Sequence, residues 1–164
     1  MLALQSQVDH AREHRVWHRP RVRWSMNFST AEINHRERIA RHRDGVAALQ
    51  LDRPSTLAEC VEALVGLYEK NWSADAFQIN CGDCDAFAME LIQIWTGADR
   101  ETDDAMVLWG EDLEADEDRA EDIAGLHACA KIEGRFYDSE CPEGEDDWRD
   151  LPCFARYFGS LLKA

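Results

Sequence analysis

No stretch of this chain stays apolar over the length that a secretory signal or a membrane span requires, so neither is expected. Positive charge also runs short: residues 1–53 hold ten Arg against six acids, whereas residues 54–164 hold eight basic against 27 acidic residues, within a net charge of −15. A field of that sign disfavours nucleic acid and anionic membrane and suits a neutral or basic protein or peptide partner, although solubility alone would also account for it. Histidine is scarcer still beyond the first quarter: five of the six precede residue 44, and His127 stands by itself in the remainder. A chain of 164 residues buries a core without crosslinks, and six cysteines with no export signal read as reduced thiols of a cytoplasmic protein. No internal repeat is visible, and oligomeric state leaves no mark.

Residues 1–25 mix Arg, His and Trp without periodicity, as in Trp17-His18-Arg19-Pro20-Arg21, and read as a disordered tail. His10, His14 and His18 have helical spacing but no accompanying carboxylate or cysteine that would make a metal site. Residues 26–53 form a helical arm: Ser29 with Glu32 is a capping signal for a helix to about Leu49, too polar for core. Residues 54–164 are the packed body. There Thr56 and Glu59 cap a helix whose Leu57, Cys60, Val61, Leu64, Val65 and Tyr68 make one stripe, and a second helix carries Cys84, Phe87, Ala88, Leu91 and Trp95 on one face. Residues 105–109 read as a short strand inside an otherwise acidic loop. Asp112 to Asp118 fails as a calcium loop, because Glu117 stands where a sharp-turn glycine is needed and Ile123 where the last acid is needed. Leu126 to Ile132, the turn Glu133-Gly134 and Arg135 to Asp138 form a hairpin. Pro142 to Pro152 is turn-rich, and Phe154, Tyr157, Phe158, Leu161 and Leu162 outline a closing amphipathic helix.

A thiol becomes a nucleophile as its anion, which a helix N-terminus or a nearby imidazolium stabilises. Cys84 opens a helix and has the first; His127, the sole histidine of the body, is the base available to supply the second. A two-residue hairpin at Glu133-Gly134 pairs residue 129 with 138 and 127 with 140, which puts His127, Asp138 and Glu140 on one face. Either acid is then within reach of the ring to fix its tautomer.

The segment Gln78-Ile79-Asn80-Cys81-Gly82-Asp83-Cys84-Asp85-Ala86-Phe87 resembles the nucleophile segment of papain-like cysteine peptidases, in which Gln, two residues, Cys-Gly-Ser-Cys-Trp-Ala-Phe occur in order. Gln78, Cys81, Gly82, Cys84, Ala86 and Phe87 match; Asp83 and Asp85 replace Ser and Trp. The spacing of 43 residues from Cys84 to His127, and an acid eleven residues further on, is more similar to compact transglutaminase-like and bacterial or phage members of that superfamily. The resemblance covers roughly residues 77–140 and implies an α+β fold, with the cysteine helix packed on a small antiparallel sheet. It also implies Cys84 as nucleophile, His127 as base, Asp138 as third member and Gln78 as side-chain oxyanion donor. The implied activity is hydrolysis or acyl transfer at an amide or isopeptide bond of a protein or peptide, with no cofactor.

Three other readings use the same residues. Cys81-Gly82-Asp83-Cys84 also resembles a thioredoxin-type redox motif, which calls for a βαβ frame around it. Cys81 and Cys84 with Cys129 and His127 or Cys141 would suit structural zinc, but a second close-spaced pair is missing. A catalytically inactive copy of the fold, binding a basic partner through acidic residues 99–122, would look much the same. Trp148, after the hairpin, is either a cleft wall or core.

Overall fold

The computed structural model of the protein describes residues 30–97, 102–114, 123 and 125–161. The proposed tail, His10, His14 and His18, and residues 99–101 and 115–122 of the acidic stretch lie outside the described residues.

Helices come first along the chain: α1 (Thr30–Leu51), α2 (Leu57–Trp72), α3 (Ala76–Asn80) and α4 (Cys84–Thr96). A capping box starts α2, with Thr56 Oγ1 accepting the Glu59 N–H and the Glu59 carboxylate accepting the Thr56 N–H, an arrangement that stabilises a helix by about 1 kcal/mol. Its stripe is buried as the pattern requires, save that Val65 is half-buried. The arm is not a separate appendage. Although α1 is polar nearly all round, it packs on α2 and α4 and buries His42 and Val46, which corrects the expectation that it contributes nothing to the core.

A four-stranded antiparallel sheet follows, in the order β1 (Ala105–Trp109), β2 (Ala128–Ile132), β3 (Arg135–Asp138), β4 (Cys141–Glu145). A single turn of helix, α5 (Gly110–Leu113), leaves β1, and a 3-10 turn over Trp148–Asp150 leads into the closing helix α6 (Pro152–Leu161). The molecule is therefore mixed helix and sheet, in the α+β manner. Between β2 and β3 the register pairs Ala130 with Tyr137 and Ile132 with Arg135, the pairing that a two-residue loop dictates. Glu133 (φ 52°) and Gly134 (φ 84°) both take the left-handed backbone that such a loop needs. Of the residues read as turn-rich, 142–145 belong to β4 and 146–151 form bends and a 3-10 turn: Pro142 is accommodated because the strand is at the sheet edge, and Gly144 lies where any Cβ would strike the Tyr137 ring.

Alternation along the strands divides the core in two. Ala130, Ile132 and Tyr137 join the α2 and α4 side chains, whereas Cys129, Phe136 and Cys141 join Trp148, Leu151 and Phe154 on the α6 side. Trp148 is buried against Phe154, edge to face at 4.8 Å. Among the described residues no helix is long and apolar enough to cross a membrane.

Candidate active site

His127 immediately precedes β2, with its carbonyl accepting the Gly110 N–H at 3.2 Å. By strand alternation its ring shares the face of Cys129 and Asp138, and Phe154 of α6 closes over it with ring centres 5.3 Å apart. The ring is fully buried, and its Nε2–H donates to Asp138 Oδ2 at 3.1 Å. Asp138 Oδ1 accepts the Glu140 N–H at 2.9 Å, so both oxygens of this buried carboxylate are occupied. A charge taken out of water is tolerated on those terms.

Cys84 arrives from the opposite layer. It is the first residue of α4, and Phe87 N–H to Asp83 C=O is the first bond of that helix, which leaves the amides of Cys84, Asp85 and Ala86 without an intrahelical acceptor. The Cys84 Sγ accepts the Ala128 N–H at 3.4 Å, next in sequence to His127. Thiol and imidazole interact here, and Nδ1, the ring nitrogen that Asp138 does not use, makes no hydrogen bond meeting full geometry. With Nε2 committed to Asp138, Nδ1 is the nitrogen left for the sulfur.

The electrostatics of the two groups follow. Burial by itself pushes the Cys84 thiol up, but the His127 ring, the Ala128 N–H and the imidazolium charge outweigh it against Asp85, and the thiol is held below its ordinary value. Burial pulls His127 down, while the hydrogen bonds and charges of Asp138 and Cys84 raise it more strongly, to about 9. The buried thiols of Cys129, Cys141 and Cys60 and the half-buried thiol of Cys153 move the opposite way, through burial first: Cys129 is pushed up to about 12, Cys141 and Cys153 to about 11, and Cys60 is raised. A thiolate beside an imidazolium is thus favoured at one cysteine.

Cys84, His127 and Asp138 come together; Gln78 lies six residues ahead of Cys84, and its capping contacts use Oε1 and the backbone N–H rather than the Nε2 amide that an oxyanion would need. It is the fourth residue of a capping box at α3, where its Oε1 accepts the Asp75 N–H at 3.0 Å and its N–H donates to Asp75 Oδ1 at 2.9 Å, and its side chain is exposed. The resemblance carried no hint that this segment coils into a helix start. Glu140, the other acid in reach of the hairpin face, binds Arg156 of α6 through both oxygens and accepts Asn80 Nδ2–H at 2.8 Å. Arg156 in turn is the main reason its carboxyl lies below the usual range.

Asn80 is a site residue that sequence reasoning missed. Buried, it reaches Glu140 with Nδ2, while its Oδ1 lies 2.6 Å from Ser139 Oγ, which is also 2.7 Å from the Ala76 carbonyl; the single hydroxyl proton serves one of the two at a time. The clamp ties the chain just before Cys84 to the residues just after Asp138. A polar residue between Ile79 and Cys81 was the only signal in the sequence.

No protein-family model, curated protein or solved structure matches this chain. The functional reading therefore rests on the site itself. Two rival readings meet particular geometry. Cys81-Gly82-Asp83-Cys84 joins α3 to α4, and the strands are antiparallel, so no βαβ frame surrounds the pair among the described residues. No group of three or more His, Cys, Asp or Glu side chains among the described residues is arranged to hold a metal ion.

Proposed function

We propose that the protein is a papain-like cysteine hydrolase or acyl transferase acting on an amide or isopeptide bond, with Cys84 as nucleophile, His127 as acid and base, and Asp138 as the residue that orients the ring. The observation that carries this reading is the buried Nε2–H···Oδ2 bond between His127 and Asp138, which leaves Nδ1 for a sulfur at a helix N-terminus.

In this mechanism the Cys84 thiolate attacks the carbonyl carbon and a C–S bond forms as the carbonyl π pair moves to oxygen. The amides of the first turn of α4, that of Cys84 foremost, donate to the oxyanion, and the Gln78 side-chain amide is the second donor the resemblance implies. His127 gives its proton to the leaving nitrogen, the C–N bond breaks, and a thioester remains. Water or an acceptor amine then attacks the thioester, its proton passes to His127, and the thiolate departs. With His127 and Asp138 buried and Cys84 at 9% exposure, the acyl group approaches from the sulfur side while the ion pair stays dry. A reduced thiol at Cys84 suits the reducing compartment expected for the chain.

The test is a brief exposure to low iodoacetamide with residue-resolved mass spectrometry. Cys84 is expected to be alkylated first at pH 6.5, and His127→Ala to abolish that preference. Preferential labelling of the exposed Cys81 would replace this reading with a redox one.

A further inference from the structure

A cavity of about 400 Å³ lies between α1, α2 and α4 and shares no residue with Cys84, His127 or Asp138. Trp72 and Tyr68 of α2, His42 of α1, and Asp83 and Glu90 at α4 contribute the groups that decide its chemistry. Two side chains hold the Glu90 carboxylate. His42 Nε2 lies 3.2 and 3.0 Å from its two oxygens, and the Tyr68 hydroxyl also donates to it. Burial first, then the charge and hydrogen bond of Glu90, keep that hydroxyl far above its ordinary value. His42 is buried and lines the cavity with Nδ1 unpartnered, a hydrogen-bonding atom left unfilled beside the Glu90 carboxylate. Glu90 and Asp83 thus set two carboxylates at the cavity wall.

Aromatic faces complete the lining. His42 meets Tyr68 edge-on at 4.6 Å and His35 meets Trp72 at 5.8 Å, and the Arg38 guanidinium lies 5.5 Å from the centre of the Trp72 ring. That ring already takes a cation in this molecule. Carboxylates set among aromatic rings are the chemistry that selects an organic cation over a neutral side chain of equal length. Ile39, exposed at the rim, offers apolar surface to an alkyl stem.

We infer that this cavity binds the ammonium or guanidinium of a Lys or Arg side chain on a polypeptide whose main chain crosses the start of α4. Asp83 and Ala86 line the cavity beside Cys84 at the start of α4, and Glu90 stands six residues, about 9 Å of helix rise, further along, so a side chain anchored there lies between one and two helical turns from Cys84 along the helix. The cation site stands on its own observations; only its service to Cys84 rests on the hydrolase reading.

Binding is measured by calorimetry on the Cys84→Ser protein, where turnover plays no part, with acetyl-lysine methylamide, acetyl-arginine methylamide, acetyl-norleucine methylamide and spermidine. The lysine and arginine compounds are expected to bind at least about tenfold more tightly than norleucine, and Glu90→Gln to weaken them by about tenfold. Asp83→Asn, at an exposed rim position, serves as the variant that leaves folding untouched and is expected to weaken them by a smaller factor. Equal binding of norleucine, or binding that neither variant alters, overturns the inference; tighter binding of spermidine than of either peptide overturns its polypeptide part. Cation-selective binding in a protein whose Cys84 shows no preferential alkylation supports the cavity while removing the hydrolase reading, so the two fail separately.

Discussion

Replacing Asp138 by Asn tests the centre of the proposed mechanism with a change of almost no volume. The His127 Nε2–H now donates to a buried carboxylate at 3.1 Å, and its pKa stands at about 9 against an ordinary 6.5. A raise of that size corresponds to about 3 kcal/mol in favour of the charged ring. Asparagine removes the charge and can turn its NH2 toward Nε2, which would then have to accept, moving the ring proton to the nitrogen that faces the sulfur. Burial, which pulls the ring down, stays in place. The imidazolium charge is lost as a contribution that lowers the Cys84 thiol, while the Ala128 N–H and the ring N–H facing the sulfur remain as donors. Alkylation of Cys84 by iodoacetamide, followed from pH 5 to 10 by mass spectrometry, reads the thiolate directly. In the parent protein the rate should rise through a midpoint below the ordinary thiol value; in Asp138→Asn the midpoint should move up by at least about one unit, for a rate about tenfold lower at pH 6.5. A folded Asp138→Asn protein with the parent profile would refute the claim that Asp138 sets the state of the pair.

Three further outcomes are expected, each read from urea unfolding. His127, raised in the folded state, stabilises the fold fully below about pH 6.5 and loses that contribution as pH climbs through its folded value, whereas the lowered Cys84 contributes in the opposite sense. Cys84→Ala should therefore lose stability with rising pH more steeply than the parent between about pH 6.5 and a folded His127 value somewhat below about 9, and an unchanged slope would contradict the pairing. Asn80→Ala removes both ends of the clamp from Ser139 and Glu140 and should cost about 1–3 kcal/mol; a loss within error would show the clamp to be idle. Phe154→Ala opens a cavity over His127 and beside Trp148 and should cost about 3–5 kcal/mol, so a midpoint shift worth under about 1 kcal/mol would mean that α6 does not seal the ring.

The parts of the fold legible in the sequence were those governed by short-range rules. Thr56 and Glu59 announce α2, and Glu133-Gly134 fixes the hairpin register that sets His127 near Asp138. Misreadings arose where a distant partner decided the outcome. Pro142 and Gly144 look like turn residues, yet an edge position lets the one stand in β4 and the Tyr137 ring requires the other. Gln78, by contrast, takes on a second and purely local role, capping α3 with Asp75, which motif matching does not show.

By itself the sequence determined that one histidine of the body faces an acid across a tight hairpin, because a two-residue loop leaves a strand pair a single register. It also determined that Cys84 heads a helix, because the spacing of apolar residues after it is helical. Only the tertiary structure decided that α4 brings its first turn to the beginning of β2, that Asp138 rather than Glu140 holds the ring, and that Glu140 instead joins Asn80 to Arg156. Those choices depend on how two layers and a closing helix pack together, and packing is settled by volume and burial among residues far apart in the chain.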